Sequence, residues 1–388
     1  MMGGVSSFRF PTSRFTKLKT LSSCIVETDI REIANRLSDD VQLFADQAIL
    51  VCGGSGFLGR YFTALFTYLN DEVLTQPCRI IVCDNQVTSE AQGFNSPRPD
   101  GFQFLPRDII HPFTIDEPVD YIIQAAGIAS PHYYRKYPLE TLEVATLGTK
   151  HALLLGSRLA LKGFLFFSSS EIYGDPDPQH VPTCESYRGN VSCHGPRACY
   201  DESKRLGETL CIIFHERYGV PAKIVRPFNV YGPGMPENDY RVLSNFASSI
   251  IGERPLHVYG TGRQTRTFCY VTDALVGFIK TLLHGKPAQA YNIGSPSPEI
   301  SMLQLAQELE TLTGRRLDIK LREYPDSYPA DEPQRRCPDI GKARLHFNYQ
   351  PQVNLQEGLK RFMDWAATCY TGSPYQQDAE KPPMGSRR

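Results

Sequence analysis

Two hydrophobic patterns alternate along residues 48–228: short apolar runs, and longer stretches with helical spacing. The apolar runs predict buried strands, because they are short and are bounded by glycine or polar residues. They are "QAILVC", "CRIIVCDN", "VDYIIQAAG", "GFLFFSSS" and "PAKIVRP", and the helical stretches are "FLGRYFTALFTYL", "PLETLEVATLGTKHALLLGSRLA" and "YDESKRLGETLCIIFHERYG". This alternation favours an α/β fold with a doubly wound, Rossmann-type parallel sheet.

The pattern changes on both sides of this predicted Rossmann domain. Residues 1–47 read as an N-terminal extension in which "DIREIANRLSDDVQLF" predicts a short amphipathic helix. The apolar stripe of that helix consists of Ile30, Ile33 and Leu37. Residues 229–370 contain more prolines and turns, so we expect a smaller, mainly substrate-binding region there, part of which returns to the first domain. The polar residues 371–388 predict a disordered tail.

The composition argues against several classes of partner. Hydrophobic residues make up 41% of the 388 residues, charged residues 21%, and the formal net charge is −1. A near-neutral chain gives no electrostatic reason to expect nucleic acid or an anionic membrane surface as a partner, and no apolar run reaches the roughly 18 residues of a transmembrane helix. The 11 cysteines show no C-x-x-C pair and no zinc-like spacing, which predicts reduced thiols in a cytoplasmic protein without a metal site.

A glycine turn follows the first predicted strand. In "VCGGSGFLG", Gly53, Gly56 and Gly59 have G-x-x-G-x-x-G spacing, which lets the helix N-terminus face a pyrophosphate. Asp84 ends the next strand, where a carboxylate accepts hydrogen bonds from a ribose 2′-hydroxyl and repels a 2′-phosphate. These residues predict NAD rather than NADP as the cofactor.

Further cofactor contacts are predicted where neighbouring strands end. Asp108, in "RDI" at 107–109, would lie near the adenine, and "AAG" at 125–127 supplies small residues where the cofactor passes close to a strand end. The whole predicted cofactor set is Gly53, Gly56, Phe57, Leu58, Gly59, Asp84, Asn85, Asp108, Ile109, Ala125, Ala126, Gly127, Tyr200 and Lys204.

Tyr200 and Lys204, four residues apart on a predicted helix, form a candidate base. Residues at this spacing share a helix face, so Lys204 can hold its cation near the tyrosine hydroxyl and favour the phenolate. Lowering a tyrosine pKa from about 10 by about three units takes about 4 kcal/mol, which requires a second contributor such as a cofactor cation. By itself the pair could also be ordinary helix surface.

The order of the motifs, a glycine turn, a serine loop "FFSSSEIYGD" and Tyr-x-x-x-Lys, resembles the extended short-chain dehydrogenase/reductase superfamily. Longer segments from about residue 48 to 368 resemble the UDP-glucuronate decarboxylases (UDP-xylose synthases) of the NAD-dependent epimerase/dehydratase family. They include "SSSEIYGDP", "GPRACYDESKRLGETLC", "VYGTGRQTRTFCYVTD" and "DEPQRRCPDI". The resemblance implies that NAD oxidises C4 of a nucleotide-linked glucuronic acid, that the β-keto acid loses CO2, and that the hydride returns to C4.

The same resemblance implies roles for individual residues. Tyr200 would be the base, Lys204 its activator and ribose ligand, and Ser169 the hydroxyl partner, while Glu171 and Arg266, with Ser170 beside them, would serve decarboxylation and proton delivery at C5. The implied substrate-binding residues are Tyr134, Asn229, Arg241, Tyr259, Arg266 and Arg336. A homodimer is also expected, through an apolar set on the Tyr200 helix. That set comprises Leu206, Leu210, Ile213 and Phe214.

Several alternatives stay open at this point. Glu171 could be a surface carboxylate of a loop, and Arg266 could hold only the diphosphate. Ala145 stands where the family commonly has asparagine, Gly234 where it usually has arginine, and Ser169 where threonine is commoner. The other readings of the sequence are therefore a nucleotide-sugar 4-epimerase or 4,6-dehydratase of the same fold, or a non-catalytic NAD-binding relative.

Overall fold

A seven-stranded, entirely parallel sheet lies at the centre of the computed structural model, which describes residues 26–88, 101–323 and 332–373. Its strands are β1 (Ala48–Cys52), β2 (Arg79–Asp84), β3 (Phe102–Pro106), β4 (Tyr121–Gln124), β5 (Gly163–Phe167), β6 (Ala222–Pro227) and β11 (Ala290–Ile293). Their order is β11-β6-β5-β4-β1-β2-β3, so the chain direction across the sheet reverses between β1 and β4. The doubly wound fold predicted from the alternating pattern is confirmed.

Helices cover both faces of this sheet. One face packs against α1 (Glu27–Leu37), α2 (Phe57–Glu72) and α8 (Val271–His284), and the other against α5 (Thr149–Gly156) and α6 (Ala198–Tyr218). Alternate residues of β1 serve the two cores: Ile49 and Val51 join the first, Leu50 and Cys52 the second. Because β1 is buried on both sides, it reads as the continuous apolar run seen in the sequence.

The remaining elements form three small sheets and several helices. The strands are β7 (Val230–Tyr231), β8 (Leu256–Tyr259), β9 (Thr265–Arg266), β10 (Cys269–Tyr270), β12 (Ile300–Ser301), β13 (Ile319–Arg322) and β14 (Arg335–Arg336). The helices are α3 (Pro131–Lys136), α4 (Pro138–Glu143), α7 (Val242–Ile251), α9 (Met302–Thr313), α10 (Gly341–Phe347) and α11 (Leu355–Cys369). In the sheet β12-β9-β14, Arg336 pairs with Arg266, which brings two predicted site arginines side by side.

The amphipathic helix predicted in the N-terminal extension is present as α1, with its three stripe residues buried against the core. The Asp29 carboxylate of α1 accepts a hydrogen bond of 2.8 Å from the Tyr270 hydroxyl. Arg361 of α11 donates to Glu32 of α1 across 2.6 Å, and Arg36 forms a 2.7 Å ion pair with Asp273 of α8. Opposite ends of the described chain are therefore tied together by charged contacts.

The predicted disordered tail falls mainly on residues 374–388, which lie outside the described residues, as do residues 1–25 of the extension. Residues 371–373 are described and are held by one carboxylate. The backbone amides of Thr371 and Ser373 donate to Glu237 at 2.9 and 3.1 Å. The domain boundaries drawn from the sequence stay predictions. Within the described ranges, no helix combines the length and apolar character needed to cross a membrane.

Candidate active site

The glycine turn lies at the carboxyl end of β1, beside the point where the strand order reverses. Gly53 has a φ of +78°, and a Cβ there would lie 2.5 Å from the Cα atom of Ala126, just beyond β4. A side chain is thus excluded twice, by conformation and by the approach of a neighbouring backbone. Gly56 caps α2, and Phe57, Leu58 and Gly59 form its first turn, so the amides of that turn face the crevice where such sheets bind dinucleotides.

Acidic side chains end the two strands on the far side of the turn. Asp84 Oδ2 accepts from the Ser55 amide at 2.9 Å, which fixes the carboxylate against the glycine turn. Burial raises the pKa of Asp84, and the hydrogen bonds from Gln86 and Ser55 oppose that rise. The Asn85 side-chain amide donates a hydrogen bond of 2.8 Å to the Asp108 carboxylate, which links the segments that follow β2 and β3.

The residues of this crevice fit NAD. The Ser55 hydroxyl, inside the glycine turn, is buried and has no hydrogen-bond partner among the described residues, which is the state expected of a group that binds a phosphate oxygen. Opposite it, Ala125, Ala126 and Gly127 follow β4, and a Cβ on Gly127 would lie 3.2 Å from the Lys204 Nζ atom. The Ile109 side chain is buried and packs against Gly148, so it is not open to the crevice.

Tyr200 and Lys204 lie in the first two turns of α6, both buried. Burial raises the pKa of Tyr200 to about 12, and a hydrogen bond with the Ser169 side chain opposes that rise. Lys204 donates 2.7 Å to the Phe167 carbonyl at the end of β5, and its Nζ lies 5.7 Å from the Tyr200 ring centre. Burial lowers the pKa of Lys204 to about 8. The protein by itself therefore does not make Tyr200 a base at neutral pH.

A buried ion pair between α6 and β6 anchors the serine loop through a hydrogen bond to Ser168. Glu208 of α6 accepts from the Ser168 hydroxyl at 2.5 Å and from Arg226 of β6 at 2.6 Å. Ser169 caps the short helical turn Ser170–Tyr173 by accepting from the Glu171 amide at 3.2 Å. The loop that presents Ser169, Ser170 and Glu171 is thus fixed to the same helix that carries Tyr200.

A cluster of paired charges lies beside Tyr200. Glu171 Oε2 accepts from Arg197 and, at 2.7 Å, from Arg336. Glu332 accepts from Arg197 at 2.7 Å through one oxygen and from Arg266 at 2.6 Å through the other. Glu171 is therefore an enclosed, doubly paired carboxylate, and its reading as a loop carboxylate at the surface does not hold.

The polar groups near this cluster that are buried without partners among the described residues include the Tyr134 hydroxyl and Asp201 Oδ1. The Tyr134 ring stacks on Tyr200 with ring centres 5.6 Å apart. Asp201 Oδ2 is 3.6 Å from Arg197 Nε. Burial raises the pKa of Asp201 to about 7, and the nearby Glu171 acts in the same direction. Both groups offer hydrogen bonds that a polar ligand can complete.

The other predicted substrate residues are spread around this centre. Arg241 pairs with Asp239, and its guanidinium lies 6.0 Å from the Phe57 ring, on the side of the glycine turn. Asn229 donates 2.8 Å to the Thr267 carbonyl, next to Arg266. Tyr259 ends β8, and its carbonyl accepts from Gln264. Arg241 and Arg336 thus approach from different sides and do not share a carboxylate.

The sequence departures also have defined places. Ala145 is buried in a π-helical turn, Val144–Gly148, that joins α4 to α5 and interrupts what the sequence predicts as one long helix. Its methyl group supplies no hydrogen bond where the family resemblance expects an amide. Gly234 has a φ of +89°, and its carbonyl accepts 2.6 Å from Arg60, so a guanidinium still reaches this turn.

Three residues of the site were missed from the sequence: Arg197, Asp201 and Glu332. Arg197 and Asp201 flank Tyr200 in "RACYDESK", and Glu332 lies in "DEPQRR", so each sits inside a segment that carried the family resemblance. The signal was present in those segments, but nothing in the local spacing indicated that residues 171, 197 and 332 meet.

The doubly wound fold, with a glycine turn at the switch point of its sheet, defines a class of NAD-binding enzymes. The chain belongs to the NAD dependent epimerase/dehydratase family, whose model matches residues 49–294. UDP-glucuronic acid decarboxylase 1 of Arabidopsis thaliana is 38% identical over 81% of this chain and 68% of that protein. UDP-glucuronic acid decarboxylase 3 of the same plant is 37% identical over 80% of this chain and 86% of that protein. UDP-glucuronic acid decarboxylase 1 of Xenopus tropicalis is 37% identical over 81% of this chain and 70% of that protein.

Solved structures agree on the fold. An epimerase from Methanothermobacter thermautotrophicus superposes with a TM-score of 0.71 at 27% identity, over 85% of this chain and 94% of that chain. UDP-glucose 4-epimerase from Thermotoga maritima superposes with a TM-score of 0.72 at 22% identity, over 83% of this chain and 99% of that chain. At this identity the similarity shows the shared fold alone. The predicted family and its NAD dependence are confirmed.

Proposed function

We propose that this protein catalyses the NAD-dependent decarboxylation of UDP-glucuronate to UDP-xylose, or to the 4-keto pentose, through a C4-keto intermediate. The observation that carries the proposal is the placement of Glu171. Its carboxylate is paired with Arg197 and Arg336, on the same turn whose Ser169 is bonded to Tyr200. An acid, a base and cations close together are what oxidation followed by loss of a carboxylate requires. Relatives matched over about 80% of this chain carry the decarboxylase name.

In this mechanism Tyr200 takes the proton of the C4 hydroxyl, and Ser169 holds that hydroxyl in place. The chemistry that NAD supplies when bound is hydride acceptance from C4 and its later return. Once C4 is a ketone, the C5–C6 bond breaks, CO2 leaves, and the bonding electrons move onto the enolate oxygen. Glu171, a carboxylate that first takes up a proton from solvent, delivers that proton to C5, and Arg266 stabilises the negative charge that passes through the site.

The test is an NMR time course with UDP-glucuronate labelled at C6. The wild type with NAD should lose the C6 carboxylate signal as CO2, and Tyr200→Phe should lose this turnover while its NAD affinity, measured by calorimetry, stays nearly unchanged. Conversion to a C4 epimer with the carboxylate retained would replace the decarboxylase assignment with the epimerase alternative. If no sugar nucleotide is converted, Ala145→Asn and Gly234→Arg are the variants to examine, with a strain cost at the positive φ of Gly234.

We also propose that the protein is a homodimer, in the cytoplasm predicted from its cysteine pattern. An apolar surface supports the dimer: five side chains on α4, on the π-helical turn and on the adjacent α6 are 41–62% exposed. They are Leu139, Leu142, Leu147, Leu206 and Ile213. Of the apolar set predicted for the dimer, Phe214 is buried and Leu210 packs against the same core, so neither is part of this surface.

Sedimentation tests the dimer. Leu206→Glu should convert it to a monomer at micromolar concentration, since burying an unpaired carboxylate is costly. Leu345→Glu is the matched control, because Leu345 on α10 is 82% exposed and lies on a different helix. A wild type that sediments as a monomer rejects the proposal.

A further inference from the structure

Arg197 joins three carboxylates that come from separate segments of the chain. Its Nη2 donates to Glu171 of the serine turn, its Nη1 donates to Glu332 at 2.7 Å, and its Nε lies 3.6 Å from Asp201 of α6. The Arg197 side chain is only 8% exposed. The residue precedes α6 directly, three positions before Tyr200.

These contacts belong to a closed ring of charges. Starting from Arg197, one path runs through Glu171 to Arg336, and the other through Glu332 to Arg266. The ring closes because Arg336 and Arg266 are paired neighbours on strands β14 and β9. The serine turn, the helix that carries Tyr200 and the small three-stranded sheet are therefore joined by four arginine–carboxylate pairs, and the step between the like-charged Arg336 and Arg266 is made by strand pairing.

Arginine suits this position better than any other residue. Its planar guanidinium presents five donors in a fixed fork and stays charged, so it can bond several carboxylates at once, whereas lysine offers a single point charge. Removing the guanidinium would leave Glu171 and Glu332 buried without the cation they share, and each carboxylate would have to turn toward its remaining arginine. A catalytic carboxylate must be held to within about 0.5 Å of its working position.

We propose that Arg197 is a positioning residue, which fixes the Glu171 carboxylate relative to Tyr200 so that proton delivery follows loss of CO2. This inference rests on the proposed decarboxylase function, because it assigns Arg197 a role through Glu171. A purely structural ion pair would affect folding and all steps alike. A positioning residue affects kcat, and its effect depends on the presence of Glu171.

A double-mutant cycle on CO2 release separates these roles. Arg197→Gln should lower kcat by on the order of 100-fold, the scale of a misplaced acid or base, with KM changed less than about threefold. In a Glu171→Gln background the same substitution should change kcat less than about threefold, since there is no carboxylate left to position. Equal losses of kcat in both backgrounds, or no loss in the wild-type background, would overturn the proposal.

Two further variants protect this test. Arg335→Gln is the matched control. Arg335 lies next to Arg336, but it forms a bidentate ion pair with Glu299, outside the ring, with one of the two hydrogen bonds at 2.7 Å. The kcat of this variant should stay within about twofold of the wild-type value. If Arg197→Gln does not fold, Arg197→Lys replaces it in the cycle, with a loss of at least about tenfold expected. Full activity of Arg197→Lys contradicts the proposal. A wild type that releases no CO2 removes the proposed function, and this inference with it, before the cycle is read.

Discussion

The electrostatic contribution of Lys204 to Tyr200 can be estimated from the site geometry. Burial raises the pKa of Tyr200 to about 12, so ionisation near pH 7.5 requires a drop of between four and five units, or about 6 kcal/mol. The Lys204 ammonium lies 5.7 Å from the ring centre. At that distance, and at an effective dielectric constant of about 20, a unit charge supplies about 3 kcal/mol, or about two pKa units. Because Lys204 is already present in the site to which this pKa belongs, removing its cation would raise the pKa of Tyr200 further, by about two units, and the remaining drop has to come from the bound cofactor.

We predict that Lys204→Met shifts the acid limb of the pH profile of kcat/KM to higher pH by about two units. The value of kcat/KM near pH 7.5 should fall by about 100-fold. The effect should depend on pH in a defined direction. Because burial lowers the pKa of Lys204 to about 8, the cation is present below that pH and is lost above it, so the rates of wild type and variant should converge at higher pH. The assay is CO2 release at saturating NAD across pH 6–10, with NAD affinity measured separately.

Lys223→Met is the matched control for this experiment. Lys223 is also buried, its pKa is also lowered to about 8 by burial, and it also donates to a backbone carbonyl, that of Leu282, at 2.5 Å. Its contacts are with α8 and not with Tyr200. An acid limb that does not move in Lys204→Met, or that moves equally in Lys223→Met, would show that the lysine cation does not set the ionisation of Tyr200.

Two further predictions concern stability. Burial raises the pKa of Asp29 to about 6, against hydrogen bonding from Tyr270. A carboxyl whose pKa is raised in the folded state contributes most to the stability of the folded protein below its unfolded pKa of 3.8, and this contribution is lost as the pH rises through 6. The free energy of unfolding of Asp29→Asn relative to the wild type should therefore grow by about 1 kcal/mol from pH 5 to pH 7. Asp39→Asn, at an exposed position, is the control. Gly53→Ala should lower Tm and NAD affinity well beyond Gly219→Ala, because both glycines have a φ near +70° but only Gly53 would meet a backbone; equal losses would place the cause in φ alone.

The Rossmann sheet could be read from the sequence because its determinants are local. β1 is an uninterrupted apolar run followed by glycines, and the helix that starts at Phe57 follows at once. The break at Ala145 could not be read in this way. The segment "PLETLEVATLGTK" mixes good helix formers with threonine, valine and glycine, and a π-helical turn depends on a shifted hydrogen-bond ladder that residue propensities do not encode.

The same limit applies to the site. Tyr200 and Lys204 are predictable because a helix places residues four apart on one face. The partners of Glu171 are not, because Arg197 is 26 residues away and Arg336 is 165 residues away. A family resemblance shows which residues recur in a segment, but it does not show which charges meet. Arg266 illustrates the difference: the resemblance implies a role with the substrate, and the structure adds that its guanidinium donates to Glu332.

The tie between α1 and α11 has a consequence for how the protein is made. Glu32 and Arg361 are separated by 329 residues, so their contact cannot form until nearly the whole described chain has been translated. At usual elongation rates the interval is on the order of tens of seconds. During that time the Glu32 carboxylate lacks its Arg361 partner, while α2, on which α1 also packs, is already made. The first helix of the described residues therefore receives its partner on α11 only late in synthesis.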